Sequence, residues 1–119
     1  MNDFPEFMRN PLNAIDPKSQ TSGNVGYVYD GIDGSQMAIW TSMEDVISKE
    51  HVHDYDEYFI VVEGEYKLKM NDNDEVIVLK KGDEYHVPKG TPHSGESKKG
   101  TRTIYAFGSK RAKRRNEDR

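Results

Sequence analysis

Four side chains near the middle of the chain have the types and spacing of a metal site. His51 and His53 stand two apart, Glu57 follows four residues after His53, and His93 comes forty residues after it. In a strand, residues two apart project from the same face. Two imidazoles about 7 Å apart along such a strand converge on one ion. A bend at Asp54-Tyr55-Asp56 lets Glu57 open the next strand facing the same space. The turn from Pro88 to Pro92 then delivers His93. Three imidazoles with one carboxylate suit Mn, Fe, Co, Ni, Cu or Zn better than Mg or Ca. Four ligands on an octahedral ion leave positions open for water, substrate or dioxygen, and open positions allow Lewis-acid activation of a carbonyl or hydroxyl. Taken singly, each histidine is more often a surface or core residue than a ligand. The group of four carries the argument.

These residues need rigid strands to hold them, and the chain supplies strand signals from Gly26 onward. Gly26–Asp30, Gln36–Ser42, Glu57–Val62, Tyr66–Met70, Glu75–Leu79, Glu84–Val87 and Arg102–Phe107 are β-branched, aromatic or alternating. Asp30-Gly31, Asp33-Gly34, Asn71–Asp74, Lys81-Gly82-Asp83 and Pro88-Lys-Gly90 are turns. Short strands at this spacing predict an all-β sandwich or barrel. Met43–Lys49 is the best helix candidate inside the domain, but it is short and contains Val46 and Ile47; we read it as loop or strand continuation.

The expected organisation is an arm over 1–24, a barrel over 25–108 and a basic, polar C-terminal tail over 109–119. The arm is broken by Pro5, Pro11 and Pro17, yet it carries Phe4, Phe7, Met8, Leu12 and Ile15. Such a segment is expected to pack on its own barrel or on a neighbour's, with a short helical turn. The tail, with Lys110, Arg111, Lys113, Arg114 and Arg115, reads as a solvated terminus.

Composition narrows the partners. The chain has 119 residues, 34% of them hydrophobic, and a net charge of −4. That is enough for one domain and one core. No global basic field exists to recruit nucleic acid. With no cysteine, disulfides and thiolate metal sites are excluded. Met1 to Ile15 contains no apolar run of signal-peptide length, and no segment approaches the roughly 20 apolar residues of a membrane span. A soluble, cytoplasmic protein is expected. Sheet edges and the proline-rich arm predict a homodimer.

The motif residues resemble the cupin family, in its small single-domain form. The first cupin motif ends in HxH, three or four residues, Glu, six residues and Gly. Here His51-Val-His53, Asp54–Asp56, Glu57, Tyr58–Glu63 and Gly64 match it throughout. The second runs Gly, five residues, Pro-x-Gly, two residues and His. Gly82, Pro88-Lys-Gly90 and His93 keep that spacing. Chance agreement at eight fixed positions is on the order of 10⁻¹⁰ per placement. Two positions depart: Asp45 stands where the first motif opens with Gly, and Ser97 where the second closes with Asn. The resemblance spans roughly residues 36–107.

It implies a cupin double-stranded β-helix, a jelly-roll barrel with one divalent transition metal at His51, His53, Glu57 and His93. It also implies a metal-dependent enzyme of oxygenase, isomerase, lyase or decarboxylase type acting on a small organic molecule. The alternative is a non-catalytic small-ligand-binding or sensing module, because the fold does not fix the function. Alternation from Glu57 puts Phe59 and Val61 on the ligand face, and Trp40, Tyr105 and Phe107 are candidates to line the cavity. Tyr27, Tyr29, Tyr66, Tyr85 and Tyr105 are the candidate acids or bases, with no sign of which points inward. His86 alternates with Tyr85 and Val87 and is expected to be structural or at the surface.

Overall fold

Side-chain alternation over most of the chain resolves into strands, and the strands into two sheets. The computed structural model describes residues 3–117; positions 1–2 of the expected arm and 118–119 of the expected tail lie outside them. The strands are β1 (Asn24–Asp30), β2 (Gln36–Ser42), β3 (Val46–His51), β4 (Glu57–Glu63), β5 (Glu65–Met70), β6 (Glu75–Lys80), β7 (Glu84–Val87), β8 (His93–Ser97) and β9 (Arg102–Phe107). One sheet has the order β1-β2-β9-β4-β7 and the other β3-β8-β5-β6, with every pairing antiparallel. This is the all-β jelly-roll barrel that the motifs implied.

The period of two decides what faces inward. On β4, Glu57, Phe59 and Val61 are buried while Tyr58 is exposed. On β2, Gln36, Ala38, Trp40 and Ser42 share the inner face. Two apolar clusters fill the space between the sheets. Val28, Ala38, Trp40 and Phe107 pack with Ile15 at one end, and Phe59, Val61, Leu68, Met70, Leu79 and Val87 form the other. Gly64 links β4 to β5 at φ 87°, and a Cβ there would stand 2.7 Å from the Thr101 backbone, so only glycine fits.

Met43–Lys49 contains no helix: β3 begins at Val46 and runs on to His51. The two departures from the motif are absorbed by hydrogen bonds. Asp45 accepts from the Lys99 N–H at 2.8 Å, and the Ser97 hydroxyl meets that of Ser42 at 2.8 Å.

The arm folds as three single 3₁₀ turns, Glu6–Met8, Pro11–Asn13 and Pro17–Ser19, rather than one. It packs on its own barrel, with Phe4 and Ile15 buried. The tail corrects the sequence reading, because residues 111–115 are docked rather than solvated. Ala112 is 2% exposed. The side chain of Gln36, itself buried, accepts from the N–H groups of Arg111 (2.7 Å) and Ala112 (3.0 Å) and donates to the Ala112 carbonyl (3.2 Å). Asp16 N–H donates to the Lys113 carbonyl, and Arg115 N–H to that of Ala14. The Arg114 guanidinium donates to Asp30, the Val28 carbonyl and Asn13. Backbone groups supply most of these bonds, so no hydrophobic pattern announces them.

Candidate metal centre

His51 reaches the barrel interior because β3 is irregular. Val46 and Ser48 face inward, so strict alternation would turn His51 out. A register shift between Ser48 and His51 supplies the extra residue and turns it back. His51 then lies directly across from His93 on β8, with ring centroids 4.2 Å apart. His53 follows two residues on, 4.9 Å from the His51 ring and 5.5 Å from the His93 ring. Glu57 opens β4 on its inner face.

The structure brings all four together. One ligand atom from each of His51, His53, Glu57 and His93 lies within 4.8 Å of the others. The two Glu57 oxygens stand 3.4 Å from His53 Nε2 and 3.7 Å from His93 Nε2. Two rings are fixed from behind. Nδ1 of His51 bonds the Lys49 carbonyl at 2.7 Å, and Nδ1 of His93 bonds the Thr91 carbonyl at 2.8 Å. A carbonyl only accepts, so each Nδ1 carries the proton and each Nε2 presents a lone pair to the cluster. Burial, with smaller contributions from His93 and His53, holds His51 below the ordinary imidazole range. It is therefore neutral, as a ligand must be.

The donor set fits a divalent transition ion. Nε2 of His53 and of His93 are buried with no hydrogen-bond partner. Buried polar atoms without a partner are costly, and coordination would remove that cost.

The cluster opens into a cavity of about 70 Å³. A water needs about 10–15 Å³ on this scale, so a handful of waters or a small organic molecule fits. One wall is aromatic: Trp40 meets Tyr105 edge-on at 5.1 Å, and Tyr105 stacks on Phe107 at 5.5 Å. The opposite wall is hydroxylic, with Ser48, Ser97 and Thr101 among its residues.

The five candidate tyrosines separate cleanly. Val28 points into the core, so its neighbours Tyr27 and Tyr29 point out, and the Tyr29 hydroxyl donates to the Met8 carbonyl. Tyr85 packs in the second apolar cluster. Tyr66 and Tyr105 face the cavity close enough to perturb one another's proton, with Ser48 beside Tyr66. Burial first, and the Glu57 charge second, push the Tyr66 phenol up to about 12. Burial raises Tyr105 well above its ordinary value, helped by Tyr66 and Glu57. Both are protonated at neutral pH and can donate but not accept a proton. Tyr66 owes its place to Gly95 on β8, where a Cβ would lie 2.0 Å from the phenol oxygen. His86 sits on the outer face, 3.5 Å from Asp56.

Two residues at the site escaped the sequence reading. Tyr55 stacks on His53 at 4.7 Å. The signal was present, since residues 51, 53 and 55 share a parity. Arg111 lines the cavity from the tail and lies outside both motifs, so no signal pointed to it.

Comparisons with known proteins bear on the fold and the family. No curated protein matches the chain in sequence. Among solved structures, an RmlC-like cupin from Shewanella frigidimarina superposes with a TM-score of 0.69 at 20% identity, covering 98% of this chain and 92% of its own. KdgF from a Halomonas species gives 0.64 at 18% identity, covering 82% and 84%. The polyketide cyclase RemF from Streptomyces resistomycificus gives 0.61 at 16% identity, covering 73% and 64%. At these identities the likeness concerns the fold. In sequence, the cupin-domain family Cupin_2 matches residues 39–105, more than half of the chain, and the protein therefore belongs to the cupin family.

Proposed function

We propose that this cupin is a divalent-metal-dependent enzyme that acts on a small organic molecule held in the cavity and donates a proton to it. The observation that carries the reading is the meeting of two groups of residues in one cavity. His51, His53, Glu57 and His93 form a nitrogen- and oxygen-rich cluster, and Tyr66 and Tyr105 stand beside it with their protons held on. A divalent ion bound by the four residues supplies a Lewis acid for a substrate carbonyl or hydroxyl.

The chain's own groups do the rest. The Lys49 and Thr91 carbonyls hold two imidazoles in the ligating tautomer. The aromatic wall of Trp40, Tyr105 and Phe107 takes the apolar face of the substrate. The Tyr66 phenol, backed by Tyr105 and Ser48, is the proton donor. RemF, a polyketide cyclase by name, has a similar barrel.

Elemental analysis of the purified chain beside His51→Ala and His93→Ala tests the reading. One equivalent of a transition metal, lost in both variants, supports it. A wild-type chain that holds no metal even after reloading overturns it and leaves a metal-free binding module. We further propose a homodimer paired through a sheet edge; a monomeric mass by light scattering refutes that.

A further inference from the structure

The cavity has one cationic side chain on its wall, and that side chain comes from outside the barrel. Arg111 is the sole Arg or Lys lining it among the described residues. Its backbone is gripped by Gln36, at the start of β2. Its guanidinium lies over the Trp40 ring, 5.9 Å from the centroid, and donates once, to the Ser19 carbonyl at 2.9 Å. No carboxylate among the described residues pairs with it. Arg114, three residues on, differs in every respect: Asp30, the Val28 carbonyl and Asn13 take up its fork. One arginine anchors the tail, and the other is left with donors to spare at the mouth of the cavity. The positive charge of Arg111 is felt inside, where it lowers the phenols of Tyr55 and Tyr105 against the effect of burial.

Register gives the spacing of the strand that grips Arg111 and the strand that carries Glu57. Glu57, Phe107 and Gln36 stand side by side across β4, β9 and β2. Strands lie about 4.8 Å apart, so the Gln36 grip is about 10 Å from the Glu57 backbone. A small molecule can touch the ligand cluster with one end and Arg111 with the other, its body against Trp40, Tyr105 and Phe107. A planar guanidinium with free N–H groups, stacked on an indole, suits a carboxylate.

We propose that Arg111 is the counter-ion for a carboxylate on the substrate, so that this cavity selects small organic acids with a flat or unsaturated body. The proposal rests on the reading of the cavity as the substrate site. It does not require the metal, because Arg111 is not one of the four cluster residues.

Calorimetric titration of the full chain with benzoate, benzamide and phenyl phosphate tests it, in metal-free and zinc-loaded forms. Benzoate is expected to bind both forms and to bind better than benzamide. Arg111→Gln is expected to weaken benzoate by about 10- to 100-fold and leave benzamide unchanged, the worth of a charge-assisted pair. Arg111→Lys keeps the charge and loses the fork, so an intermediate loss is expected; it also serves if the Gln variant fails to fold. Equal binding of benzoate and benzamide, or benzoate binding indifferent to Arg111→Gln, overturns the proposal. Phenyl phosphate binding in place of benzoate overturns the assignment to a carboxylate. Arg111-dependent benzoate binding in a wild-type chain that takes up no metal even after reloading would uphold the counter-ion while removing the metal reading. A chain that holds one equivalent of metal but ignores benzoate would do the reverse.

Discussion

Replacing Gly95 by alanine tests the placement of the Tyr66 phenol without touching a ligand residue. A Cβ at position 95 would stand 2.0 Å from the phenol oxygen, 2.5 Å from Cζ and 2.9 Å from Cε1. A carbon–oxygen contact relaxes to about 3.3 Å, so the phenol must retreat by about 1.3 Å. It has little room, because Phe59 packs edge-on against the Tyr66 ring at 5.1 Å and the strand beneath is paired on both sides. Overpacking of this kind costs about 1–3 kcal/mol. Gly95→Ala is therefore expected to lower stability by about 1–3 kcal/mol in urea titrations while metal content stays at one equivalent. Tyr66→Phe removes the nearest of the three clashing atoms, so the double variant should be more stable than the sum of the two single losses. A Gly95→Ala chain with wild-type stability, and with additive behaviour in the pair, would refute the placement. Misplacement by about 1 Å costs catalysis about 100-fold, so the same variant should be nearly inactive once a substrate is in hand.

Alkaline pH should weaken the fold. Tyr66 titrates near 10 in the unfolded chain and at about 12 in the folded one. Its contribution is complete below pH 10 and is lost as pH rises toward 12, amounting to about 2–3 kcal/mol. Phenolate absorbance should show a late-titrating group that Tyr66→Phe deletes; its absence from the wild type would contradict the buried placement. Gln36→Ala strips three bonds from the tail backbone, which should cost about 2–4 kcal/mol and open Arg111 to trypsin. Equally fast cleavage there in the wild type would show that the tail is not docked. Chelation should leave the far-UV spectrum intact, because both apolar clusters form without the ion. It should lower the melting temperature by roughly 10 °C where metal stands at 100 times its Kd. A collapsed spectrum would instead make the ion structural.

The four candidate ligands could be read from the chain because of their types and spacing, and Glu57 because period-two alternation on β4 dictates its orientation. β2, β4 and β9 were legible for the same reason, since one face of each packs on an apolar core. β8 was not. His-Ser-Gly-Glu-Ser has no hydrophobic rhythm, because its inner face lines a polar cavity and touches a tyrosine ring instead of a core. β3 was hidden behind its irregularity, which breaks parity just before His51. The docking of residues 111–115 left no trace because backbone groups and a single glutamine hold them. Long-range backbone bonding is invisible in side-chain types, and Arg111 was lost with it.

The docking of the tail also sets an order of events during synthesis. A chain extended only to Phe107 already contains His51, His53, Glu57 and His93, and every strand of both sheets. It lacks Arg111, Arg114 and the partner for Gln36. Such a nascent barrel would already offer the four candidate metal ligands while the arginine proposed as the selective group is still missing. On the proposed metal and counter-ion roles, loading would precede selectivity, because residues 109–117 follow the barrel in the chain and bring the arginine that would choose what the cavity admits.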